Sequence, residues 1–136
     1  LIDSIHPQLY RFESDLATRF PEFSRAYRDE YVIDGQLLPT VMLERVLILI
    51  EDLYRESSKG SRVAGLTFVG GLLEGLAVLA DPNVHNILRT SILEGFATLG
   101  KLREDFMSYL GPATEKLIHD MHQKSQFDPL TADPLA

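Results

Sequence analysis

From Val63 to Ala80 the chain reads Val-Ala-Gly-Leu-Thr-Phe-Val-Gly-Gly-Leu-Leu-Glu-Gly-Leu-Ala-Val-Leu-Ala, and Glu74 is its only charge. A run of this length stands at the lower edge of what crosses a bilayer. Gly71 and Gly75 also have the small-xxx-small spacing of close-packed membrane helices. The interior glutamate, the four glycines and the amphipathic sequence on both sides weigh against lipid. The run is therefore expected to be a central helix buried within a water-soluble bundle, with no membrane contact. Each glycine costs about 1 kcal/mol of helix propensity relative to alanine, so close packing has to offset it.

Asp81-Pro82 ends this helix and starts another, with Asp81 as a side-chain cap and Pro82 at the first helical position. Val84, Leu88, Ile92, Phe96 and Leu99 then recur on one helical stripe that Gly100 stops. So short a link makes the two helices antiparallel neighbours. Between Ser61 and Gly100 the charges are only Arg62, Glu74, Asp81, Arg89 and Glu94, which places this hairpin in the middle of the molecule or of an oligomer.

Prolines punctuate the rest. Pro7 opens a first helix with Leu9, Phe12, Leu16 and Phe20 on one face, and Pro21 interrupts it and starts a second, to about Val32. Asp34-Gly35 is a turn. Pro39 restarts the pattern, and Leu43, Val46, Leu47, Ile50, Leu53 and Tyr54 form a stripe opposite Glu44, Glu51, Asp52 and Arg55. Val46 to Ile50 alone resembles a buried strand, but its charged flanks at helical spacing predict a helix. Ser57 to Ser61 is a loop, with Ser61 as the expected N-cap of the glycine-bearing helix. Leu102, Phe106 and Leu110 outline a short helix, and Pro112 opens a last one carrying Ala113, Leu117, Ile118 and Met121. The expectation is an all-α, single-domain bundle of about six or seven helices over residues 1–125, followed by a disordered tail over 126–136. Antiparallel pairs recur, but no fixed-period repeat accompanies them.

The chemistry is mostly exclusion. There is no cysteine, which removes disulfides, zinc–thiolate sites, iron–sulfur clusters and thiol nucleophiles. Twenty acids against thirteen bases give a net charge of −7, with no basic stripe hidden in either half, so nucleic acid is not expected as a partner. The first residues lack the basic stretch and cleavage site of a secretory signal, and cytoplasm is the expected compartment. P-loop, G-x-G-x-x-G and G-x-S-x-G patterns are absent.

His119 and His122 share a helix face with Glu115, a trio of potential metal donors, but no matched Glu/His pair on another helix completes a bundle-core centre. Glu74 and Glu94 on the apolar hairpin are candidate acid–base carboxylates, or else satisfy backbone donors at helix ends. No catalytic residue, metal ligand or cofactor is assigned. Two acidic clusters remain: Asp29, Glu30 and Asp34 at the end of the second helix, and Glu51, Asp52 and Glu56 at the end of the third. Carboxylates there oppose the helix dipole, and such a surface steers a basic partner.

Phe20-Pro21-Glu22-Phe23, Asp81-Pro82-Asn83-Val84-His85-Asn86, Ile92-Leu93-Glu94-Gly95-Phe96 and Leu110-Gly111-Pro112 occur in that order. Together they resemble the F-P-E-F, D-x-x-V-x-N, F-L-E-x-L and L-G-P phrases of a family of small helical bacterial proteins without assigned activity. The resemblance spans roughly Phe20 to Met121. This chain departs from it in having no tryptophan, where the family is tryptophan-rich in its last helix. The resemblance implies an immunity protein, the inhibitor that protects a bacterium from its own toxin, and offers no catalytic residues.

The expected function is thus a non-enzymatic protein-binding module, an immunity-like inhibitor acting by occlusion of a basic toxin. Its acidic interaction residues would be Asp29, Glu30, Asp34, Glu51, Asp52 and Glu56, with Tyr27, Tyr31 or Tyr54 as aromatic anchors. The alternatives are a metal-dependent or acid–base enzyme using His119, His122, Glu74 or Glu94, and a homodimeric adaptor joined through the glycine-bearing helix.

Overall fold

The computed structural model describes residues 5–56 and 58–127, without the side chains of Glu56 and residues 123–127. Within it the chain is predominantly helical: α1 Pro7–Arg19, α2 Pro21–Tyr31, α3 Pro39–Glu56, α4 Lys59–Ala77, α5 Pro82–Leu88, α6 Leu102–Met107 and α7 Pro112–Phe127. A two-strand antiparallel hairpin, β1 Val32–Ile33 and β2 Gln36–Leu37, is the only sheet among the described residues. Every proline among them is the first residue of a helix, at Pro7, Pro21, Pro39, Pro82 and Pro112. The position suits proline because the first-turn N–H has no intrahelical partner to lose. Residues 128–136, most of the expected tail, lie outside the described residues.

Caps fix the helix starts. The His6 Nδ1 accepts from Gln8 N–H at 3.1 Å, and Asp81 Oδ1 accepts from Asn83 and Val84 N–H at 2.9 and 3.1 Å. The α4 cap is Ser58 rather than Ser61: Ser58 Oγ accepts from Ser61 N–H, so the helix begins one turn earlier than the serine run suggests. At the other end of α2 the chain reverses through Asp34 (φ 51°) and Gly35 (φ 76°), pairing Val32 with Leu37 and Ile33 with Gln36. Two successive positive φ values match the twist of a two-residue hairpin, which is why Asp-Gly stands there.

α3 is the hub. Met42, Leu43, Val46 and Ile50 on it are completely buried, and it packs against α2, α4, α5 and the segment after α5. Each such side chain contributes about 1.5–3 kcal/mol by leaving water. The run Val46 to Ile50 is helical, as its flanks require.

The expectation of one regular helix from Pro82 to Leu99 needs correction. Its pitch changes twice, from α to a π-helical turn at Arg89–Leu93 and then to a 3-10 stretch at Glu94–Leu99, closed by Gly100 at φ 59°. The widened turn buries Ser91, Ile92 and Leu93 consecutively, an arrangement that a straight α-helix spreads over its circumference.

The glycine-bearing helix is also less buried than its composition suggests. Leu66, Val69, Leu73 and Leu76 enter the core, while Val63, Ala64, Thr67, Gly71, Gly75 and Val78 remain exposed. Of its inner glycines, Gly70 is the one the packing demands, because a Cβ there would collide with the backbone carbonyl oxygen of Tyr109. Gly71 and Gly75 face open space. Among the described residues no helix is long and apolar enough to cross a membrane.

Candidate functional site

Because the Asp34-Gly35 hairpin folds α3 back along α2, the two acidic clusters fall at opposite ends of an antiparallel pair. Asp29, Glu30 and Asp34 stand at the hairpin end. Asp29 and Asp34 are exposed. Glu30 is tied to α3, its Oε1 accepting from Arg45 Nε at 2.8 Å, with Arg45 Nη2 also 2.8 Å away in an ion pair. Glu51 and Asp52 lie about 10 Å further along α3, by the helical rise from Arg45. There Asp52 lines a groove beside Glu22 and Phe23 of the opening turn of α2. Asp52 pairs with Arg55 one turn on, at 3.2 Å on an exposed surface, and the side chain of Glu56 lies outside the described residues. Among the described residues, Asp29, Asp34, Glu22 and Glu51 form no ion pair within 4 Å.

The three tyrosines separate. Tyr31 is completely buried, stacked on Phe23 at 6.4 Å between ring centroids, and so is a core residue, not the aromatic anchor expected of it. Its hydroxyl meets no hydrogen-bond partner at normal geometry among the described residues. Burial, then the Glu13 carboxylate, hold its pKa above the usual tyrosine value, with Ser24 and Arg28 opposing. Tyr54 is half-buried and donates to Asp105 Oδ2, joining α3 to α6, with the Arg62 guanidinium 5.7 Å from its ring. Desolvation and the hydrogen bond to Asp105 push its pKa well above the usual value of 10.0. Tyr27 alone is left in the groove, half-buried, its ring 5.2 Å from that of Phe23.

Glu74 is engaged with backbone. Its Oε2 accepts from Ala113 N–H and its Oε1 from Thr114 N–H, both at 2.9 Å, so it caps α7 from another helix. Partial burial raises its pKa, and the hydrogen bonds from Thr114 and Ala113 outweigh that and lower it below the ordinary value. Glu94 is exposed in the 3-10 stretch and is not among those partners. Glu115, His119 and His122 are exposed on α7. Among the described residues no three His, Asp or Glu side chains stand close enough to hold a metal ion. His85 belongs to the fold, its Nε2 lying 3.1 Å from the Ala77 carbonyl oxygen across the α4–α5 link.

Comparison with protein-family models, with curated proteins and with solved structures finds no match to this chain. The functional reading therefore rests on the face that α2 and α3 present: carboxylates at each end, and at one end an apolar groove beside them. Charge and chain order are enough to find the acids. The groove is not legible in the sequence, because Phe23, Tyr27, Leu49 and Leu53 look like ordinary core positions until the two helices are set side by side.

Proposed function

We propose that this protein is a non-enzymatic binding module, an immunity-like inhibitor that covers a basic region of a bacterial toxin. The observation that supports it is the α2–α3 face, on which Asp29, Asp34 and Glu51 have no ion pair among the described residues while the chain carries a net charge of −7. Carboxylates left unpaired on a rigid scaffold raise the association rate of a cationic partner and set its register. Occlusion asks for no reacting group, only for a surface held still, and the buried stripe of α3 holds this one. Such an inhibitor would act in the cytoplasm, against toxin made or received there.

The test is neutralisation. A gene for a secreted toxin beside this one would supply the partner, and co-expression should rescue growth of cells making that toxin. Charge reversal at Glu51 and Asp52 together should weaken binding and flatten its dependence on salt. Unchanged affinity and unchanged salt dependence would remove these carboxylates from the interface. Failure of the protein to bind or neutralise the toxin would reject the reading.

A further inference from the structure

Between the first turn of α2 and the last turns of α3 runs a groove of about 460 Å³. Its floor is apolar. Phe23, Leu49 and Leu53 belong to the core yet keep 6–8% of their surface open, and Phe20 and Tyr27 are half-buried beside them. The rim carries Glu22 from α2 and Asp52 from α3. Glu22 has no ion pair among the described residues, and the pair that Asp52 makes is with exposed Arg55 on its own helix. Arg19, the one cation in the lining, is stacked over two rings, 4.9 Å from the centroid of Phe20 and 5.9 Å from that of Phe68.

These features select an occupant. An apolar floor is best covered by a bulky side chain, since that removes both surfaces from water. A purely apolar visitor would leave Glu22 beside the new contact without counter-charge and Asp52 with exposed Arg55 alone, and an acidic one would be repelled by both. We infer that the groove receives a bulky apolar or aromatic side chain of a partner protein, flanked by lysine or arginine residues that pair with Glu22 and Asp52. The inference rests on the binding-module reading and narrows it, from an acidic face that attracts cations to one socket with one kind of plug.

The chain has no tryptophan, so a tryptophan in a probe peptide is the only one in the sample. The probe is a synthetic peptide with a single Trp between Lys and Arg residues, titrated with the full-length protein. Its emission should shift to the blue and saturate as the indole enters the groove. Replacing Trp by Ser, or Lys and Arg by Glu, should weaken binding at least about tenfold, the measure of one anchor or of a matched charge pair. On the protein, the double variant Glu22→Lys/Asp52→Lys and the groove-filling Ala26→Phe should do the same. All three sites are on the surface or rim, and circular dichroism should show the fold retained. No saturable shift, or a shift that both protein variants retain, overturns the inference. In the neutralisation assay, Ala26→Phe that still protects cells, beside charge reversal at Asp29, Asp34 and Glu51 that does not, overturns the groove alone. Loss of toxin binding by the unaltered protein is what overturns the broader reading.

Discussion

Glu74 Oε1 accepts both the backbone N–H (2.9 Å) and the hydroxyl (2.8 Å) of Thr114, a residue forty positions later with no exposed surface. The glutamate supplies to α7 what its own N-terminus lacks. Gly111 precedes Pro112 and has no side chain with which to cap, and a Cβ there would lie 2.6 Å from Glu74 Oε1. The cap from α4 thus explains both the lone charge of the apolar run Val63–Ala80 and the glycine in Leu110-Gly111-Pro112. Glu74→Ala is expected to cost about 2 kcal/mol and Glu74→Gln about 1 kcal/mol, since the amide keeps one acceptor. Thr114→Val should be non-additive with Glu74→Ala in urea unfolding, as the two changes remove one shared contact.

The same contact sets a pH dependence. The unfolded carboxyl titrates at its ordinary value of 4.5, and the folded one below that. Between the two values the unfolded chain binds the proton and the folded chain does not, so stability rises with pH. The contribution is complete above 4.5 and is lost as pH falls through the folded value. The stability difference between the natural protein and Glu74→Gln should therefore be constant near neutrality and shrink on acidification. A difference that stays constant through that range would show that the carboxyl titrates normally.

Tyr54 predicts the opposite sign. Its folded pKa is raised above 10.0 by desolvation and by its hydrogen bond to Asp105, so its contribution is whole below pH 10 and lost as pH climbs through the folded value. Tyr54→Phe should lower stability by about 1 kcal/mol at neutral pH and reduce the alkaline loss. Ultraviolet titration should find Tyr54 and Tyr31 ionising above the ordinary tyrosine value of 10.0.

Some of this architecture lies open in the sequence and some does not, for physical reasons. The five helix starts that carry proline are readable because proline excludes itself from helix interiors by sterics alone. The Asp34-Gly35 reversal is readable too, although strands of two residues carry no alternation that announces them. The widened turn at Arg89–Leu93 has no such signal, since tertiary packing of Ser91, Ile92 and Leu93 against α3 selects the pitch. Which serine caps α4 depends on where the loop ends, and Ser58 and Ser61 offer the same hydroxyl. The acidic residues are legible from charge alone. That Glu30 is bound to Arg45, and Tyr31 entirely interior, depends on how α2 rolls on α3, which neither helix encodes by itself.

The glycines of the apolar run divide by the same logic, and this divides their mutational effects. Gly71 and Gly75 are mid-helix, and a Cβ at either would have no neighbour within 4 Å, so alanine meets no obstacle there. Each substitution should stabilise by about 0.5–1 kcal/mol by lowering the entropy of the unfolded chain. Gly70→Ala should destabilise by about 1–3 kcal/mol, because the obstacle is the Tyr109 backbone and not a side chain able to rotate away. Urea midpoints that moved together for all three would contradict this placement.

Asp34 permits the turn and the charge to be tested apart. At φ 51° it adopts a left-handed conformation that asparagine tolerates as well as aspartate, whereas a β-branched residue does not. Asp34→Asn should leave thermal stability within about 0.5 kcal/mol of the natural protein while removing one exposed negative charge. Asp34→Val and Gly35→Ala should each cost about 1 kcal/mol or more by straining the reversal. If Asp34 serves the binding face, Asp34→Asn alone should slow association with a basic partner and weaken its salt dependence, with dissociation nearly unchanged, as expected of a charge at the rim. An unaltered association rate would leave Asp34 with the hairpin as its whole role.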